Sequence, residues 1–220
     1  MLLPSAILPA DWSALAALAL AVLVALAAWR APWRRLMVNE QSHVWLGFIV
    51  FAAILWLIGG GVGASVRFHL LAAPLAYLLF GPWLALLALA LAGAAVTFMN
   101  GDWAAYPMHV LLSGALPIAV SHLVLTLAER RLPPNYFIYI FVGAFLGGAL
   151  SMFVAGLATA GLAALAAPQV RYAGEDLPAM LLMLSFGEGT LTGMLASLMV
   201  VYRPTWVGTF DDARYLGRRP

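Results

Sequence analysis

Apolar runs of roughly 17 to 30 residues recur along the whole chain, separated by short stretches carrying Pro, Gly or charge, and each can cross a roughly 30 Å hydrocarbon layer as a helix. With 65% hydrophobic and 9% charged residues, such a chain cannot cover itself with polar surface in water. The runs leave no room for a separate soluble domain. The reading is an all-α integral membrane protein, one transmembrane domain spanning residues 1–220 with a cytoplasmic tail over about 203–220.

The first run, about Trp12 to Trp29, has Ala25-Leu26-Ala27 near its end, but nothing positive precedes it and Arg30, Arg34 and Arg35 follow it. That polarity is wrong for a cleaved signal and fits a retained helix with its amino terminus outside, where Met1 would offer a terminal amine. Further helices are predicted at about His43 to Ile58, Trp83 to Met99, Met108 to Leu127, Phe137 to Ala167 and Ala179 to Tyr202. Phe68 to Phe80 is ambiguous: about 13 residues, roughly 20 Å, meeting the next helix at Gly81-Pro82.

Arginine bias chooses between a short separate helix and one kinked helix. Seven spans with the amino terminus outside and the carboxyl terminus cytoplasmic put Arg30, Arg34, Arg35, Arg130, Arg131 and Arg203 inside, with Arg214, Arg218 and Arg219. Only Arg67 and Arg171 remain outside. One fused helix gives a weaker bias, so the expectation is a bundle of about seven helices with Gly81-Pro82 as a tight cytoplasmic turn, multi-pass in the membrane.

Composition also excludes. Every basic residue is an arginine and the formal net charge is only +2, which argues for loop clusters and against nucleic acid as a partner. The absence of cysteine removes disulfides, thiolate zinc sites, iron–sulfur clusters and covalent c-type haem. No phosphate loop or nucleophile elbow is present, so the chain is not expected to be an enzyme, nor an ATPase in its own right.

Polar residues at membrane depth are the candidates for function. The topology sorts the histidines into two layers, His69 and His109 near the outer ends of their helices, His43 and His122 toward the inner side. Met1, Asp11, Met99, Asn100, Asp102 and Met108 share the outer layer. An amine, two imidazoles, a carboxylate and thioethers suit a late first-row divalent cation; the plainer reading leaves the imidazoles at headgroup level. The candidate cation ligands are Met1 and His69, with His109 and Asp102 beside them. Glu188 lies deep in the last helix within Gly187-Glu188-Gly189, where a carboxylate costs roughly 2.5 to 3.5 kcal/mol unless paired or wet. It is read either as a cap on a polar seam with Thr190 and Thr192 or as an intramembrane coupling residue. Gly143 with Gly147 and Gly189 with Gly193 are small residues at close-packing spacing.

Several segments carry a family resemblance: Met1 with Leu8-Pro9 and Trp12; Phe68-His69-Leu70-Leu71 followed by Leu79-Phe80-Gly81-Pro82-Trp83; Gly114-Ala115-Leu116-Pro117; Gly187-Glu188-Gly189 before Leu191-Thr192; and Val201-Tyr202-Arg203-Pro204 with Thr209-Phe210-Asp211-Asp212. On these the chain resembles the cobalt/nickel-uptake membrane subunits of energy-coupling-factor transporters, in a divergent subgroup of transporter permeases. The resemblance implies a substrate-binding permease of the bacterial inner membrane that takes up a divalent cation, cobalt or nickel, as substrate. It implies a transmembrane coupling subunit and cytoplasmic ATP-binding subunits as partners. The family's metal is held by the terminal amine, a His at the second position and a His before the third span. Met1 and His69 match, Leu2 does not, and the family's Asn-Gly before the fifth span is Met108-His109 here. Two other readings stand beside this one: a membrane electron carrier whose His layers each hold a bis-His haem, and a structural membrane partner without a ligand.

Overall fold

The computed structural model describes residues 3–38, 40–62, 66–168 and 177–215. Its long helices are α1 Ala10–Arg30, α2 Gln41–Leu57, α3 Ala73–Asn100, α4 Tyr106–Arg131, α5 Tyr136–Ala166 and α6 Leu177–Tyr202. Among the described residues five of these, all but the shorter α2, are long and apolar enough to cross a membrane. The protein is therefore an all-α membrane protein in its architecture. Helices α1, α2 and α4 to α6 match the expected runs to within a few residues at each end.

Helix α3 is the centre of the bundle, with Ala73 through Phe80 buried without exception. A straight helix of its 28 residues would be about 42 Å long. It is not straight. Gly81 has φ 75° and ψ 176°, a backbone conformation open to glycine and strained for any side chain, and Pro82 follows it without an N–H to continue the ladder. The carbonyls of Leu78 and Leu79, just before this break, receive the N–H groups of Thr209 and Gly208 at 3.1 and 2.9 Å and an Arg35 guanidinium N–H at 2.9 Å. Both outer ends of α3 lie instead toward the opposite end of the molecule, where His69 meets His109 and Asp102 meets Ser5. The chain thus reverses at Gly81-Pro82, as the sequence suggests. The segment 73–80 is nevertheless only about 12 Å long, shorter than the helix read from Phe68.

Two features account for that shortening. Gly60–Val62 pairs antiparallel with Val66–Phe68, Gly60 opposite Phe68, so a small β-ribbon precedes α3 in an otherwise helical chain. Leu70 to Ala72 then form a non-helical connector, with Ala72 held at φ 56°. His69 accordingly stands on an extended segment, a correction to its expected place on a helix end.

Helices α4 and α5 contain wide turns at Leu111–Ala115 and Tyr139–Leu146. In α4 the cause is Pro117, which supplies no N–H to the carbonyl of Ser113, and the Leu116 N–H reaches back to Leu111 instead. Helices α5 and α6 are in intimate contact: a Cβ added at Gly189 would stand 2.7 Å from the Phe145 carbonyl oxygen, and one at Gly193 would stand 3.2 Å from the Phe145 Cβ. At Gly143 the neighbour is Leu125 of α4, whereas a Cβ at Gly147 would meet only ordinary contacts. Beyond α6 the tail turns back under the bundle, where Phe210 stacks on Tyr215 with 5.1 Å between ring centroids. Arg214 pairs with Glu129 at 3.3 Å.

Candidate metal site

The connector between the ribbon and the first half of α3 presents His69, and the first turns of α4 present His109. Their Nε2 atoms are 3.2 Å apart. Both are buried, with 4% and 2% of their surfaces exposed. The Nδ1–H of His69 donates to the Leu70 carbonyl at 2.9 Å, which fixes that nitrogen as the protonated one and turns Nε2 toward His109. Metal-binding imidazoles are commonly held by this kind of contact, the far nitrogen donating to a carbonyl. Two nitrogens each about 2.0 to 2.1 Å from one ion stand about 2.9 Å apart at a right angle and about 3.3 Å apart at the tetrahedral angle. The observed spacing falls between the two, so both imidazoles could bind one ion side by side after a small movement.

The same distance speaks against haem. Axial imidazoles on opposite faces of an iron stand about 4 Å apart, two metal–nitrogen bonds end to end, with a porphyrin between them. Here the indole of Trp56 packs against both rings, its centroid 5.3 Å from that of His69 and 4.6 Å from that of His109. The expected inner layer is not a pair either. His122 lies in the middle of α4 with its Nδ1 3.0 Å from the Tyr77 hydroxyl, and the exposed His43 lines a groove on α2.

Glycines let the walls close in. A Cβ at Gly59 would meet the Phe68 carbonyl oxygen at 2.8 Å and the His69 Cβ at 3.0 Å, while one at Gly93 would meet Val110 at 2.8 Å and Trp56 at 3.3 Å.

Glu188 holds the connector from below. Its side chain is wholly buried, and its two carboxylate oxygens accept the N–H groups of Leu71 at 2.7 Å and Ala72 at 2.9 Å. These amides belong to the two connector residues just before Ala73, so the carboxylate sits beside the positive end of that short helix, where a negative charge is stabilised. The Trp56 indole N–H donates to the Leu71 carbonyl at 2.9 Å, gripping the same residue from the other side. The pairing that a carboxylate at this depth requires is thus supplied by backbone amides. Of the seam residues named with it, Thr190 faces outward, and the buried Thr192 hydroxyl makes no hydrogen bond with it.

Asp102 takes another part. Its Oδ2 accepts the Ser5 N–H at 2.9 Å and its Oδ1 the Ala105 N–H at 3.3 Å, so it docks the amino-terminal segment against the loop before α4. Leu3 is buried in the same region of chain. Met1 and Leu2 lie outside the described residues. Among the described residues no group of three His, Asp or Glu side chains comes together to hold a metal ion, so the histidine pair is what the fold brings into place. Sequence reading missed Trp56, Gly59 and Gly93; a tryptophan near the end of an apolar run carries no signal of what it will touch.

Residues 3–206 match the family described as cobalt uptake substrate-specific transmembrane region. A crystal structure of a truncated transition metal transporter superposes with a TM-score of 0.74 at 17% identity, over 92% of this chain and 99% of that one. A second crystal structure, of a transition metal transporter, gives 0.71 at 17% identity over 90% and 92%. At such identity the likeness is one of fold. No curated protein sequence matches the chain.

Proposed function

Because the chain belongs to the family of cobalt-uptake substrate-specific transmembrane regions, we propose that it is the substrate-binding membrane subunit of an energy-coupling-factor transporter, taking a divalent cobalt or nickel ion from outside the bacterial inner membrane. The observation that carries this reading is the 3.2 Å spacing of the His69 and His109 Nε2 atoms within a buried, tryptophan-walled site. His109, on α4, supplies an imidazole to a site whose family pattern has a His at the position of Leu2. Neutral imidazole suits cobalt and nickel, and the ion travels as substrate. With no nucleotide-binding motif in the chain, the driving force falls to partners: a transmembrane coupling subunit and cytoplasmic ATP-binding subunits.

Seven crossings accompany this proposal, with the amino terminus outside and the carboxyl terminus cytoplasmic. Arg35 on the Leu79 carbonyl, Arg30 over the Trp83 ring and Arg214 on Glu129 support it, since they bring basic residues to the end of the bundle where the tail lies. Arg67 stands at the other end, donating to the Gly59 carbonyl.

The test is titration of the purified protein with Co(II), followed by calorimetry and by the visible ligand-field bands of the ion. The parent binds, and His69→Ala and His109→Ala each weaken binding at least about 10-fold, the lower range for loss of contacts around a metal. Parent-like binding by both variants would place the site elsewhere.

A further inference from the structure

At the arginine-rich end of the bundle, α2, the first half of α3 and α6 leave a groove between them with a volume of about 520 Å³, within the range of sites that hold small molecules. Phe48, Phe51, Leu75, Leu79 and Leu195 form its walls, which are almost wholly apolar. Along α2 the lining runs from Glu40 to Phe51, about 16 Å of helix, which is the depth of one leaflet of a bilayer whose hydrocarbon core is about 30 Å thick. Gly47 opens the middle of the groove, and a Cβ there would meet nothing within 4 Å.

The mouth differs from the walls. Glu40, His43 and Trp206 line it, and the Arg203 guanidinium lies over the Trp206 ring, 5.8 Å from its centroid. Glu40 and Arg203 are exposed, and neither forms an ion pair among the described residues. An acid and a guanidinium thus flank the polar end of an apolar slot one leaflet deep. Indole and arginine together are also the side chains that settle at headgroup level.

We propose that this groove is a binding site for one phospholipid of the inner leaflet, its acyl chain along Phe48, Phe51 and Leu195 and its headgroup at the mouth. The rim of mixed sign selects a zwitterionic headgroup with a primary ammonium. The ammonium donates to Glu40, and the phosphate accepts from Arg203 and lies beside His43. A choline headgroup offers no N–H to Glu40, and a purely anionic headgroup leaves Glu40 facing like charge. The site is separate from the histidine pair, so it stands or falls independently of the transported ion.

The experiment is native mass spectrometry of the full chain, reconstituted into vesicles of phosphatidylethanolamine, phosphatidylcholine and phosphatidylglycerol and extracted in mild detergent. One phosphatidylethanolamine should remain on the parent after the annular lipid is lost. Gly47→Trp fills the slot and should remove that lipid while leaving Co(II) titration at the outer end unchanged, which also reports that the variant is folded. Glu40→Gln with Arg203→Gln should keep a bound lipid but lower the ethanolamine-over-choline preference at least about 10-fold, the effect of one lost charge-assisted hydrogen bond. A parent that keeps no lipid overturns the proposal, as does retention equal in Gly47→Trp. A polypeptide in place of lipid in the groove, shown by a protein adduct lost in Gly47→Trp, overturns it in favour of a helical partner.

Discussion

Replacing Glu188 tests how the outer site is held in shape. The carboxylate is wholly buried and accepts two backbone N–H groups, at 2.7 and 2.9 Å, from the two residues that follow the His69-Leu70 pair. In Glu188→Ala both amides lose their acceptor in an apolar interior, at about 1 to 3 kcal/mol each, so about 2 to 6 kcal/mol together. Glu188→Gln keeps one acceptor oxygen and sets an NH2 group against the second amide, so it forfeits roughly half of that together with the charge. Local release of the connector relieves Ala72 of its left-handed φ of 56°, which costs an alanine about 1 to 2 kcal/mol, and that is where the loss should concentrate. His69, three residues before Ala72, then loses its register with His109. Both variants are expected to insert, to unfold at lower temperature in detergent, and to bind Co(II) about 10- to 100-fold more weakly, in the order Ala worse than Gln. Trp56→Phe, which keeps most of the wall but deletes the bond to the Leu71 carbonyl, should fall between the parent and Glu188→Gln. Parent affinity and parent midpoint in Glu188→Gln would refute the reasoning, because the carboxylate would then be holding nothing that matters to the site.

Asp102→Ala removes the acceptor for Ser5 and Ala105 and should lower the unfolding midpoint by the equivalent of about 1 kcal/mol, read by thermal denaturation in detergent; a complete loss of Co(II) binding would make Asp102 a ligand instead. Gly189→Leu drives a side chain into the Phe145 carbonyl and should destabilise the α5–α6 contact by about 1 to 3 kcal/mol or more, seen as lost expression or a lowered midpoint, whereas Gly161→Leu, with nothing within 4 Å, should be tolerated. Cysteines placed in the 31–35 segment should react with impermeant reagents only from the cytoplasm and a cysteine at Trp103 only from outside; reactivity of Trp103→Cys from the cytoplasm would reject seven crossings. Thr209→Val deletes the side-chain bond to the Leu78 carbonyl at 2.9 Å and the contact with the Tyr139 hydroxyl, and should cost about 1 to 2 kcal/mol without changing Co(II) affinity.

What was legible in the sequence follows from what lipid demands. In hydrocarbon each backbone amide must be satisfied within its own segment, so apolar runs of the right length become helices whatever their detail, and their bounds can be read. Gly81-Pro82 was legible for the same reason: one residue open to positive φ next to one that lacks an N–H ends a helix in any surroundings. The ribbon was not, because Gly60–Val62 and Val66–Phe68 are three residues each, too short to show an alternation. Its consequence reached the site, since the ribbon takes Phe68 out of the helix and leaves His69 on a connector. His69 and His109 could be placed in one layer from topology, but their meeting depends on Gly59 admitting the Phe68-His69 backbone and Gly93 admitting Trp56 and Val110, contacts across several elements with no local signature. Glu188 was recognisable as a residue needing a partner, though not which partner, because a helix terminus has no residue type of its own to look for.

The half-length helix 73–80 joins these observations into one arrangement. At its amino end Glu188 accepts the amides of Leu71 and Ala72, the two connector residues that lead into the helix, and at its carboxyl end Gly208, Thr209 and Arg35 satisfy the carbonyls of Leu78 and Leu79. Between them it is buried on every side, so its unpaired termini could not have been left to water. A full-length span would have carried those termini out to the headgroups; a span of about 12 Å leaves one of them deep inside the bundle. The depth of that amino end is what calls for a buried carboxylate, and the connector leading into it is what brings His69 inward to meet His109. The short helix and the buried imidazole pair are therefore a single structural solution, and lengthening 73–80 by a helical turn should abolish both together.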